Sequence, residues 1–303
     1  MAYRATCFWF KRIRLTYVDC LLFGSLIAPT DPIAVLSIVK KMNLSPVTET
    51  RIAGESLFND GIGVVIFLTL LKVKMMGVEN VTPEGVSMLF VQEVAGGVIL
   101  GCILGYLGLK LVRYIENEFV ELEVLITLSL VLLVSIISSK FHFSGPLGVV
   151  MMGLFLNVNI DSDKIEDGVQ KAMGEYVYKF WHLLDETLNA ILFILIGLEI
   201  IPIFQNFEPV YILISILIII LVVVSRGIGV SIPIRILSIY KTFEKSTSLI
   251  ITWGGLRGGL SIALALNLPE QIGEGKNLIL FLTYMVVLFT ILFQGLTLNK
   301  IPK

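Results

Sequence analysis

The chain has 303 residues, of which 56% are hydrophobic and 16% charged, and its mean hydropathy is +0.89. These values exclude an ordinary soluble domain and point to a chain that lives in a lipid bilayer. A net charge of -1 without basic clusters interleaved with aromatics leaves no field for nucleic acid, and three cysteines without metal spacing give neither a disulfide framework nor a zinc site.

The first 28 residues imitate a secretory signal, with Arg4, Lys11, Arg12 and Arg14 ahead of an apolar stretch. Asp19 interrupts that stretch and no small-residue cleavage site follows, so no cleaved signal is read. About nine stretches approach the length needed to cross the hydrocarbon core as a helix. They run from Leu15 to Val39, Ile52 to Val73, Met88 to Val112, Glu121 to Ser139, Phe143 to Val158, Tyr176 to Pro202, Val210 to Leu237, Thr247 to Leu268 and Asn277 to Leu298. The fifth is short, and the seventh is long enough to tilt or to bend at Gly227, Gly229 and Pro233.

Lysine and arginine are retained on the cytoplasmic side of short loops. Lys40, Lys41, Arg51, Lys110, Arg113, Lys164, Lys171, Lys179, Arg235, Lys241, Lys245, Lys300 and Lys303 fall on one side, which predicts a cytoplasmic C-terminus. The four basic residues before Leu15 fall on the other, against the rule. This contradiction predicts either that the start is not that of an intact protein or that helices that should precede it are missing.

Two spans look broken. In "SLIAPTDPIAV", Pro29 and Pro32 remove backbone donors, so the chain near Thr30 and Asp31 should be unwound. In "TWGGLRGGLSIAL", Gly254, Gly255, Gly258 and Gly259 flank a single Arg257. Pro and Gly also merely kink packed membrane helices, but a charge inside each break favours a transporter built from inverted repeats with its site near the midplane.

The second span opens with "GESLFNDGIG". At 100° per residue Glu55 and Asn59 stack one turn apart, Ser56 and Asp60 do so beside them, and all four share a face. Such oxygen ligands suit a hard monovalent cation. An ionised carboxylate in a low-dielectric setting is relieved either by a proton or by a cation, so the two should compete at Asp60. Glu55 is expected to form a structural ion pair with Arg257, because an uncompensated Arg in a membrane is unfavourable. Glu93, Asn189 and Glu199 read first as hydrogen-bonding partners between helices.

"LLFGSLIAPTDPIAVL", "GESLFNDGIGVVIF" and "WGGLRGGLSIALAL" closely resemble the signature helices of sodium/proton exchangers of the monovalent cation:proton antiporter-1 family, bacterial type. The resemblance runs from about Leu21 to Leu298. It implies an all-α multi-pass fold with two unwound crossing helices and a core domain that moves to give alternating access. It implies antiport of sodium, or another monovalent cation, against protons without a cofactor, in a homodimer in the cell membrane. By motif, Asp60 would be the proton and cation carrier, and Asn59 the neighbour characteristic of electroneutral exchange. Thr30 would offer its backbone carbonyl, Asp31 and Ser56 would complete or support the site, and sodium would sit at Asp60, Ser56 and Thr30. Glu55 and Arg257 would stabilise the core, and Arg226 in "VVVSRGIG" matches a basic position that supports it.

The family has more helices than this chain shows, so residues 1–303 are expected to form one transporter domain lacking its first three or four helices. Two rivals remain: a non-transporting remnant or assembly partner, and, remotely, an intramembrane aspartyl protease using Asp31 and Asp60. The latter lacks the GxGD and PAL-type motifs.

Overall fold

The computed structural model describes residues 15–31, 35–36, 46–77, 80–114, 120–157, 168–205, 210–240 and 246–300. The N-terminal basic residues, Cys7, Pro32, Lys40, Lys41, Lys164, Lys241, Lys245 and Lys303 lie outside them. All the described elements are helical. They are α1 (Tyr17–Ile27), α2 (Pro46–Met76), α3 (Pro83–Tyr114), α4 (Val120–Phe141), α5 (Gly145–Asn157), α6 (Gly168–Gln205), α7 (Val210–Leu237), α8 (Thr247–Trp253), α9 (Gly259–Leu266) and α10 (Glu274–Phe289).

Among the described residues five helical stretches are long and apolar enough to span a bilayer: Val47–Met76, Pro83–Val112, Glu121–Phe141, Val210–Leu237 and Gly275–Lys300. The sequence suggested about nine. Both expected breaks are present, and they divide two of those nine into helices of 11, 7 and 8 residues, each too short to cross alone. The seventh span bears out its expected bounds and runs as one helix with Pro233 inside it. Pro46 and Pro83 open α2 and α3, where a missing N–H costs nothing because the first turn has no intrahelical acceptor for it. α1 is closed at its start by a capping box, in which Thr16 accepts from the Asp19 amide and Asp19 accepts from the Thr16 amide.

The chain divides into two compact units, Val64–Leu192 and the remainder, Met1–Gly63 with Phe193–Lys303. In the first of these, α3 packs closely on α5, and α4 packs on both. A glycine stripe explains the closeness. Gly97, Gly101 and Gly105 lie one turn apart on α3; a β-carbon would come within 2.6 Å of the Ser144 oxygen, 2.8 Å of Met151 Cβ and 2.7 Å of Phe155 Cβ, respectively. Small residues at four-residue spacing let two backbones approach where lipid offers no hydrophobic drive. Leu104, Val134 and Met152 form the buried centre of that unit. Glu93, buried in it, accepts from Thr69 at 3.3 Å and from Lys72, which makes it the interhelical partner expected from the sequence.

The second unit places α7, α9 and α10 together, with α8 on α7 and α1 on α9 and α10. Its core gathers Val35, Ile52, Val230, Ile250, Ile251, Leu256 and Leu298 around the two breaks. The Tyr284 hydroxyl donates to the Ile196 carbonyl at 2.9 Å, tying α10 to the C-terminal half of α6.

Candidate ion-binding site at the crossing of two broken helices

The two unwound segments meet inside this second unit. α1 ends at Ile27, and residues 28–31 continue without helix; α8 ends at Trp253, and the helix resumes only at Gly259. The Asp31 amide donates to the Leu256 carbonyl at 2.8 Å, one break bonding directly to the other. Gly258 permits that approach, since a β-carbon there would lie 2.8 Å from Asp31 Cβ. Its own φ of -110° and ψ of -165° is extended backbone open to any residue, so closeness and not conformation requires glycine.

Unwinding leaves carbonyls without intrahelical partners, and within a membrane they must find donors. Arg257, only 5% exposed, supplies them. Its Nη1 donates to the Ala28 carbonyl at 2.6 Å and to the Pro29 carbonyl at 3.1 Å. A guanidinium at the C-terminal end of α1 also meets the negative end of that helix's dipole.

The expected Glu55–Arg257 ion pair is therefore not the one formed. Glu55 is gripped by Arg226 of α7, with Nη1 to Oε1 and Nη2 to Oε2 both at 2.6 Å, a two-pronged geometry that matches guanidinium to carboxylate. Charge balance alone could not choose between the two arginines. Arg257 finds its compensation in carbonyl dipoles created by the break, which frees Glu55 for the arginine on the neighbouring helix. Arg226, assigned only a supporting part from the sequence, is the actual partner, and its signal was a lone charge in the apolar run "LVVVSRGIG".

The four polar residues of α2 separate into two functions. Asn59 donates through Nδ2 to Glu55 one turn earlier and so joins the Arg226 cluster. Ser56 and Asp60 face the break instead. The Thr30 amide donates to Asp60 Oδ1 at 2.9 Å, and the Thr30 hydroxyl donates to the Ser56 hydroxyl at 3.1 Å. Thr30 and Ser56 are buried, whereas Asp60 is half-buried. Among the described residues Asp60 has no basic partner within ion-pair distance. The amide bond orients its carboxylate and leaves lone pairs on both oxygens.

The arrangement brings Thr30, Asp31, Ser56 and Asp60 to one crossing and sets Glu55, Asn59 and Arg226 beside it. Sequence reasoning missed Thr290, whose hydroxyl accepts the Arg257 amide at 3.1 Å. Its only signal was a hydroxyl within the apolar "VVLFTILFQG", where six residues from Thr290 to Gly295 form a π-helical turn. Among the described residues no group of three His, Cys, Asp or Glu side chains is placed to hold a transition metal.

A helical membrane protein with two interrupted helices crossing beside a half-buried carboxylate belongs to the class of secondary transporters and not to the enzymes. Residues 5–301 match the family described as "Sodium/hydrogen exchanger, transmembrane", and the chain belongs to that family. It is 40% identical over 294 residues to the Na(+)/H(+) antiporter NhaP of Pseudomonas aeruginosa, covering 96% of this chain and 67% of that one. Against the Na(+)/H(+) antiporter NhaH of Halobacillus aidingensis the identity is 36% over 288 residues, covering 93% and 67%. The solved structure of the sodium proton antiporter MjNhaP1 from Methanocaldococcus jannaschii at pH 8 superposes with a TM-score of 0.74 at 20% identity, over 94% of this chain and 70% of that one, which establishes the shared fold.

Proposed function

We propose that this chain exchanges sodium, or another hard monovalent cation, for protons, and that Asp60 is the group at which the two compete. The observation that supports this most directly is the Thr30 amide on Asp60 Oδ1 at 2.9 Å, which holds one carboxylate against an unwound backbone. Protonated, Asp60 is neutral and needs no cation; ionised in a low-dielectric site, it requires one. The carboxylate oxygens, the Ser56 hydroxyl and the hydroxyl and carbonyl of Thr30 form an all-oxygen set suited to sodium. A cation entering there replaces the hydroxyl bond between Thr30 and Ser56, and Asp31, next to Thr30, supports the crossing through its amide bond to the Leu256 carbonyl of the opposite break.

Glu55 and Arg226 neutralise each other beside the site, with Asn59 bonded to Glu55, so Asp60 is the carboxylate of α2 whose charge changes in the cycle. One proton for one cation at one carboxylate makes the exchange electroneutral. Alternating access follows from motion of the segment carrying the crossing; this chain contributes one transporter domain, and the protein works as a homodimer. The protein resides in the cell membrane with its C-terminus in the cytoplasm, where it serves sodium and pH homeostasis.

The test uses everted membrane vesicles containing this chain and carrying a proton gradient. Adding sodium should dissipate the gradient, and Asp60→Asn should abolish the response. Full exchange in that variant would refute the assignment of Asp60.

A further inference from the structure

Thr290 is 2% exposed and stands at the first position of the π-helical turn Thr290–Gly295, where α10 widens opposite the second break. Its hydroxyl accepts the Arg257 amide at 3.1 Å and lies 2.9 Å from the Val287 carbonyl, to which it donates. π-turns inside α-helices recur at functional sites, where they move a side chain out of the regular ladder. The hydroxyl satisfies a donor of the unwound segment that no helix serves, because residues 254–258 lie between α8 and α9.

A path of hydrogen bonds joined by two covalent links, the Arg257 residue and the Pro29–Thr30 peptide, leads from there to the carboxylate. Thr290 holds the Arg257 backbone; the Arg257 guanidinium holds the Ala28 and Pro29 carbonyls; the next residue, Thr30, gives its amide to Asp60 and its hydroxyl to Ser56. Gly295 of the same turn packs on Leu256, with 3.8 Å separating a β-carbon placed there from Leu256 Cδ1. The π-turn thus meets the break at two successive residues.

We infer that Thr290 is a positioning residue for cation binding: through Arg257 it sets where the Thr30 backbone stands against Asp60, although it touches no ion ligand itself. The inference rests on the proposed role of Asp60. Removing the hydroxyl with Thr290→Val keeps the shape of the side chain and lets the Arg257 segment shift. In proteoliposomes containing the full chain, the apparent KM for sodium should rise roughly two- to tenfold, as expected for loss of one buried hydrogen bond, with maximal rate retained. The pH optimum should move with it, and Thr290→Ser should restore both. A purely structural role would lower the amount of folded protein and leave KM and pH profile unchanged.

A second measurement does not depend on transport. Hydrogen–deuterium exchange of the peptide covering 254–258 should be faster in Thr290→Val than in wild type and unchanged in Thr290→Ser. If wild type exchanges no ions, the antiport reading fails while this measurement still decides the contact. Wild-type deuterium uptake in Thr290→Val, or an unaltered KM and pH profile in it, overturns the inference. Equal impairment of the Ser and Val variants overturns it as well, because Thr290→Ser keeps the hydroxyl and the hydroxyl would then not be what restores binding.

Discussion

Arg257 Nη1 lies 2.6 Å from the carbonyl oxygen of Ala28, 229 positions earlier in the chain, so the arginine of one broken helix closes the open end of the other. The bond converts two breaks, each unfavourable alone in a membrane, into one mutually satisfied crossing. Replacing Arg257 by Leu strands both carbonyls, and the variant should melt at lower temperature by the equivalent of about 3 kcal/mol or more. A thermal scan in detergent gives the answer, with unchanged melting counting against the crossing.

The partnership of Glu55 with Arg226 is testable by a double-mutant cycle. Glu55→Gln and Arg226→Gln should each destabilise the protein by about 3 kcal/mol, since each leaves an unpaired charge in a largely buried setting. Together they should cost less than the sum. A cycle between Glu55 and Arg257 should show much weaker coupling, and the reverse ranking would contradict the geometry.

Competition at Asp60 has a definite sign. As pH falls the carboxylate is protonated and neutral, so a cation must displace a proton and its apparent affinity weakens, towards about tenfold per pH unit once protonation is dominant. The apparent KM for sodium should therefore rise on the acid side while an imposed membrane potential leaves the rate unchanged. Marked voltage dependence would rule out one-for-one exchange.

Thr30→Val and Ser56→Ala each remove one hydroxyl from the crossing but leave the carboxylate. Each should raise the cation KM several-fold, in keeping with about 1 kcal/mol for one such oxygen, and keep a measurable maximal rate. Complete loss of exchange with normal folding would mean that these hydroxyls do more than ligate.

Two glycine variants separate site geometry from scaffold packing. Gly258→Ala drives a methyl into Asp31 Cβ and should both destabilise the protein by about 1 to 3 kcal/mol and impair exchange. Gly101→Ala crowds Met151 and the backbone of Gly148 in the other unit, so it should lower stability and leave the sodium KM of the folded fraction unchanged. A shifted KM in Gly101→Ala would show that the two effects are not separable.

Local chemistry was legible in the sequence. Prolines that cannot donate marked the first break, glycines flanking Arg257 marked the second, and helical spacing put Glu55, Ser56, Asn59 and Asp60 on one face. The seven residues of α8 before the second break and the eight of α9 after it are each too few to span a membrane, yet by hydropathy the two read as one crossing, because hydropathy averages over an interruption that backbone bonding does not. The glycines of α3 recur every four residues in the sequence but were not singled out there, because a spacing alone does not name the helix it packs against.

By itself the sequence determined the membrane environment, the broken helices and the carboxylate face, since each follows from the free energy of placing particular groups in hydrocarbon and from the 3.6-residue period. Only the tertiary structure decided which arginine serves which partner. Pairing depends on what lies within about 3 Å, and residues as distant as Ala28 and Arg257, Glu55 and Arg226, or Arg257 and Thr290 reach that range only after the chain has folded. A charge on its own says that compensation is needed; the geometry shows that Arg257 finds it in carbonyls and Glu55 in a different arginine.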